Sequence, residues 1–155
     1  MDPSIVWGIA YAAPPVALLG GAVGSTLGTL EAASASLSVI AEEPAQRSRA
    51  LIFSALPMTQ TFYGFIFMYM ALMRLASVTE MTLLKALLLL SISIAVGLAE
   101  LYSAWTQGKV CRSAVALLPR TRGAIFSMGI MLAAFEELFG ILALAFGLMV
   151  LFMVV

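Results

Sequence analysis

Four long apolar stretches dominate the chain: Ser4–Ala41, Ser48–Ser77, Met81–Leu118 and Gly123–Val155. Each exceeds the ~20 residues that a helix needs to cross the hydrocarbon core of a bilayer. A soluble core cannot account for them. Hydrophobic residues make up 63% and charged residues 10% of the 155, against about 45–50% and 25% in soluble domains. The pattern predicts an all-α integral membrane protein with four long helices. At about 1.5 Å per residue these segments overrun a core about 30 Å thick, so the helices are expected to protrude from it.

The connections between them are short: Glu42–Arg47, Val78–Glu80 and Pro119–Arg122. Short connections make antiparallel neighbours, so the chain divides into two helical hairpins, residues 1–78 and 79–155. Arg47, Arg49, Lys109, Arg112, Arg120 and Arg122 lie at or near the first and third connections, and only Arg74 and Lys85 flank the second. The bias of basic residues toward the cytoplasm then puts loops 42–47 and 119–122 inside and both termini outside. Asp2 stands where a signal peptide carries a basic residue, and the apolar stretch outruns a signal core of about 7–15 residues, so no cleaved leader is expected. The net charge is zero, which gives no reason to expect nucleic acid as a partner. A single Cys111 and no histidine exclude an internal disulfide and a thiolate or imidazole metal site.

The two hairpins look like copies. Gly24-Ser25-x-x-Gly28 aligns with Ala104-x-x-Gln107-Gly108, and Ala50-Leu-Ile-Phe-Ser54 echoes Ala124-Ile-Phe-Ser127. With two spans per copy, the copies run parallel and are related by an axis along the membrane normal. Gly20, Gly24 and Gly28 recur at spacing four, continued by Ala32 and Ser36, and Ala95, Ala99 and Ser103 repeat the idea in the third helix. Small residues so spaced let helix backbones approach closely in lipid. Pro14-Pro15 is expected to kink the first helix near its outer end.

Against this background the pair Glu136-Glu137, the only charges in the last stretch, is costly. A carboxylate at bilayer depth costs roughly 2.5–3.5 kcal/mol even on the lenient insertion scale. It persists where an ion, a proton or a fixed partner compensates it. Two other helices bring polar groups to a common depth: Leu56-Pro57-Met58-Thr59-Gln60-Thr61-Phe62-Tyr63 in the second and Thr106-Gln107-Gly108-Lys109 in the third. Thr59 and Tyr63 share a face, and Pro57, lacking an amide hydrogen, loosens a backbone carbonyl. Taken singly, Thr59, Gln60 and Gln107 suit hydrogen bonding between helices. Converging on one carboxylate, they offer only hard oxygen donors, which favours an alkali cation. A proton needs only the carboxylate and one acceptor, so the surplus of oxygens points to Na+ over H+.

These residues resemble the proteolipid (c or K) subunit of V-type and A-type rotary ATPases, over nearly the whole length. The specific matches are Leu56-Pro57-x-Thr59-Gln60-x-x-Tyr63-Gly64, Gln107-Gly108-Lys109-Val110 and Glu137-x-x-Gly140-Ile141. They look most like the sodium-translocating bacterial branch. The resemblance implies a ring of identical subunits in a bacterial or archaeal cell membrane. It implies Na+ held by the Leu56 carbonyl, Thr59, Gln60, Gln107 and Glu137, with Tyr63 locking the carboxylate. It further implies a stator subunit bearing an arginine, a central-stalk subunit at the cytoplasmic loops, and no hydrolysis by this subunit itself. The chain's glycines lie inside apolar helices and form no phosphate-binding loop.

The chain departs from the family pattern in its extra carboxylates. Glu136 and Glu137 point about 100° apart, so only one can face the site, and the residues that follow fit Glu137. Glu100 lies seven residues before Gln107, on the same face and about 10 Å away, and no role for it is evident. Met58 takes the place in the first hairpin that corresponds to Glu137, so one ion per subunit is expected. Glu31 is expected in solvent near the cytoplasmic end. The competing class is a small ion-coupled multidrug exporter using an intramembrane glutamate, which calls for an antiparallel dimer and weak orientation bias.

Overall fold

A computed structural model describes residues 2–155 as six α-helices that form four rods. The first rod is α1 (Pro3–Ala12) and α2 (Pro14–Glu42), the second is α3 (Arg47–Ala55) and α4 (Thr59–Leu75), and the others are α5 (Leu83–Leu117) and α6 (Phe126–Val154). The four rods are each long and apolar enough to cross a membrane, and there is no strand among the described residues. The fold is all-α, as the sequence predicts. At about 1.5 Å per residue, the 35 residues of α5 extend well past the bilayer core.

Proline explains both breaks. Pro14 and Pro15 have no amide hydrogens to give the carbonyls one turn back, and Val16 bonds instead to the Ala13 carbonyl, three residues away, at 3.1 Å. In the second rod Pro57 forces a 3₁₀ turn over Leu56–Met58. There the Leu56 carbonyl accepts from the Thr59 backbone and, at 3.3 Å, from its hydroxyl. The loosened carbonyl expected beside Pro57 is therefore already engaged by Thr59.

Glycine sets the packing. Gly20, Gly24 and Gly28 of α2 lie against the backbones of Gly97, Leu101 and Ala104 of α5 in the same order, so the two helices run parallel. Gly21 and Gly64 bring α2 and α4 together, antiparallel, at Gln60 and Ala17. Gly129, Gly140 and Gly147 of α6 face Ala114, Glu100 and Val96 in descending order on α5, which makes that pair antiparallel too. The result is a square: α2 beside α5, α4 on α2, and α6 on α5 and α4. Two apolar clusters fill its ends. One is built around Phe67, Leu75, Leu89 and Leu151, the other around Phe53, Cys111, Val115 and Leu118. Between them lies a buried polar layer that includes Gln60, Glu100, Ser103 and Gln107. The outer surface carries Leu19, Leu37, Phe62, Phe139, Phe146 and Met153, all exposed, as a lipid-facing wall requires.

At the loop ends, Thr82 caps α5 by accepting from the Lys85 backbone. The α5–α6 connection turns through Arg122 and Gly123, both in the left-handed region with φ of 51° and 82°. Glu31 differs from expectation. It is paired with Arg112 across α2 and α5 at 2.7 Å, because the parallel contact of these helices brings the two residues together. With Arg112 62% exposed, this pair adds at most about 1 kcal/mol.

A leucine at Gly24 would place its Cβ 2.5 Å from the Leu101 backbone, where no flexible side chain can yield. Gly24→Leu is expected to lower the thermal midpoint in detergent sharply, an overpacking cost of about 1–3 kcal/mol or more. Gly8→Leu, with nothing within 4 Å of its Cβ, should leave the midpoint unchanged. Circular dichroism on heating checks both.

Candidate ion-binding site

Glu137 projects from α6 toward α4 and α5, where each of its carboxylate oxygens meets one donor. The Tyr63 hydroxyl of α4 donates to Oε1 at 2.6 Å, and the Gln107 amide of α5 donates to Oε2 at 2.8 Å. The same Gln107 Nε2 lies 3.1 Å from the Ala133 carbonyl, which fixes the amide against α6. Behind it the amides form a chain. Gln60 Nε2 donates to Gln107 Oε1 and to Ser103 Oγ, both at 3.1 Å, and Thr59 Oγ1 donates to Gln60 Oε1 at 3.1 Å. Gln60 and Gln107 are fully buried. So Thr59, Gln60, Tyr63, Gln107 and Glu137, named separately from the sequence, form one connected network across three helices. Leu56 joins it only through its carbonyl, at Thr59.

The local causes are visible. The glycine contacts of α2 with Gln60 on one side and with Ala104 on the other draw α4 and α5 together. Two glutamines are then within bonding distance across the gap. The 3₁₀ turn at Pro57 ends where Thr59 begins, which turns the Thr59 hydroxyl toward the Gln60 amide. Charge-assisted hydrogen bonds contribute about 1.5–3 kcal/mol each. The two on Glu137 together, about 3–6 kcal/mol, are therefore enough to offset a penalty of roughly 2.5–3.5 kcal/mol for a carboxylate in a membrane-spanning helix. No basic side chain pairs with Glu137: the one ion pair among the described residues is Arg112 with Glu31.

The remaining carboxylates stand apart. Glu136 turns away from Glu137 and accepts from the Thr106 hydroxyl at 2.8 Å. Glu100 is fully buried beside Gly140, and neither of its oxygens has a hydrogen-bond partner among the described residues. Ser103 is the member of the network that sequence reading passes over as a packing residue. It accepts from Gln60 and donates to the Glu136 backbone carbonyl at 2.7 Å. Its position one turn before Gln107 was the available signal.

A tyrosine and a glutamine from separate helices closing on one intramembrane glutamate is the arrangement that the proteolipid resemblance implied. The chain matches the family model of the ATP synthase C subunit over residues 15–71 and 90–150. It belongs to that family. The two matched segments fall within α2–α4 and α5–α6 in turn. It is also 29% identical to the V-type sodium ATPase subunit K of Enterococcus hirae over 120 residues, which span 77% of this chain and 75% of that protein. The resemblance to the V-type proteolipids, and to their sodium branch, is borne out. As a member of this family with four helices able to span, the chain is an integral, multi-pass membrane protein.

Tyr63→Phe removes one of the two bonds to Glu137. Labelling of Glu137 by a hydrophobic carbodiimide is expected to speed up by about 10- to 100-fold, the equivalent of one charge-assisted bond. Mass spectrometry of labelled protein over time reads the rate.

Proposed function

We propose that this chain is the ion-carrying rotor subunit of a V/A-type ATPase, moving one Na+ per subunit at Glu137. The observation that supports it best is the Glu137 carboxylate held by Tyr63 and Gln107 from two other helices with no basic residue beside it. In the arrangement described, the amides of Gln60 and Gln107 turn their nitrogens toward their neighbours. Rotating both amides presents oxygens instead. With Glu137, Thr59 and the Leu56 carbonyl, these make an all-oxygen set suited to Na+. Tyr63 then keeps the carboxylate folded inward. A neutralised, coordinated ion tolerates the low dielectric of lipid far better than a bare carboxylate.

On this reading the halves 1–78 and 79–155 are tandem copies, and identical subunits form a ring about an axis along the membrane normal. An arginine on a stator subunit competes for Glu137 and releases the ion. A central-stalk subunit docks on loops 42–47 and 119–122 at the cytoplasmic side, with both termini outside, in a bacterial or archaeal cell membrane. The subunit itself is non-catalytic. Hydrolysis elsewhere in the complex drives its rotation.

Sodium is expected to slow carbodiimide labelling of Glu137 in a concentration-dependent way, while equal choline does not, and Glu137→Gln should abolish the label. If sodium leaves the rate unchanged while acid alters it, the cargo is H+ alone. The mass of the intact oligomer is expected to be that of a many-membered ring. A dimer would sink the rotor reading and return the exporter.

A further inference from the structure

Glu136 is the charge that the ion site leaves over. One of its oxygens lies 2.8 Å from the Thr106 hydroxyl, which the Tyr102 carbonyl shares at 2.7 Å, and the other has no donor among the described residues. Its direction follows from α5. That helix meets α2 through Gly97, Ala104 and Gly108, and α6 through Ser103 and Gln107. Thr106 belongs to neither stripe. With a turn of about 100° per residue, it shares a stripe with Ala95 and Ala99 on the side of α5 away from α2. Ala95 on that stripe is exposed. The Glu136–Thr106 pair therefore sits at the α5/α6 edge of the square.

The opposite edge, between α2 and α4, carries a groove of about 640 Å³ lined by Ala22, Ser25, Thr26, Thr29, Met58 and Thr61 among others. Thr26 and Thr61 return their hydroxyls to the Ala22 and Gly21 carbonyls at 2.8 and 3.3 Å. The Thr29 hydroxyl bonds to nothing among the described residues, and it lines the groove. Depth matches as well. Gly28, next to Thr29, packs against Ala104 and Gly108, the residues that bracket Thr106. Copies related by an axis along the membrane normal keep the same depth. The α5/α6 edge of one copy then meets the α2/α4 edge of the next with an acceptor short of a donor facing a donor without an acceptor. The chain's own halves already pack this way, α2 parallel to α5 through small residues.

We infer that Glu136 of each copy seats in the α2/α4 groove of the adjacent copy and accepts the Thr29 hydroxyl there. The inference rests on the ring reading above. It gives the carboxylate pair two separate tasks: Glu137 serves the ion site of its own chain, and Glu136 serves the seam to the next.

The test uses the full chain in native membranes with the buried Cys111 removed (Cys111→Ala). Thr29→Cys combined with Glu136→Cys, treated with a short bis-maleimide, is expected to give a ladder of covalent oligomers on a denaturing gel. Neither single substitution should give one. A ring of full mass without a ladder overturns the seam and leaves the rotor standing, whereas absence of any ring overturns both. In a second arm, Glu136→Leu is expected to make the ring fall apart at a lower temperature in detergent, and Glu136→Gln, which keeps an acceptor, should hold it. Sodium protection of Glu137 should persist in the rings that survive. A Glu136→Leu ring as heat-resistant as the parent overturns the inference.

Discussion

A carboxylate inside a helix apolar enough to cross a membrane dictates much of this architecture. Glu137 is tolerable there because two donors from two other helices reach it, Tyr63 at 2.6 Å and Gln107 at 2.8 Å. Each donor depends on something further away. Gln107 is held by Gln60 and by the Ala133 carbonyl, and Gln60 is held in turn by close backbone contact with Gly21. A side chain at any of the α2 glycines would part the helices by ångströms, and hydrogen bonds at about 3 Å do not survive that. The glycine stripe and the polar layer are one device: the first sets the spacing that the second needs.

The arrangement of apolar and polar material follows from the same constraint. Two apolar clusters, one around Phe67 and one around Phe53, close the polar layer off at both ends. Polar groups buried there need partners. The Gln60–Gln107 chain meets this demand for both amides. Glu100 does not meet it: it is fully buried and without a partner among the described residues, and nothing in the packing around Gly140 accounts for that.

Much of this is legible in the sequence because a membrane limits the alternatives. Span length, short connections and proline positions fix the four rods, and the breaks fall at Pro14 and Pro57 where the missing amide hydrogens predict them. A shared depth for Thr59, Gln60, Gln107 and the carboxylate pair is legible from the helix pattern, whereas the choice of Glu137 and the place of Tyr63 beside it come from the family resemblance. Contacts that depend on how two helices slide along each other are less legible. The pairing of Glu31 with Arg112 requires knowing that α2 and α5 run parallel at glycine distance. Ser103 reads as a small packing residue until the α6 backbone is placed, whereupon its hydroxyl meets the Glu136 carbonyl. Thr106 stands out in the polar run of the third helix, but its partner is not legible until Glu136 is seen to turn toward it.

The adjacent carboxylates show how a helix divides labour between neighbours in sequence. A turn of about 100° separates their directions, which suffices to send Glu137 into the unit and Glu136 to its edge. Had both faced inward, two like charges would have shared one site, and one of them would have been forced neutral. Placing them on different faces avoids that repulsion at the cost of a second, half-buried carboxylate needing donors of its own. Thr106 supplies one from within the chain. The other oxygen has no partner among the described residues, and the proposed seam is what would supply one, through Thr29 of the adjacent copy. On the proposed ring, that open oxygen lies at the edge where the next copy packs, so the unmet hydrogen bond of Glu136 and the contact between copies become one feature.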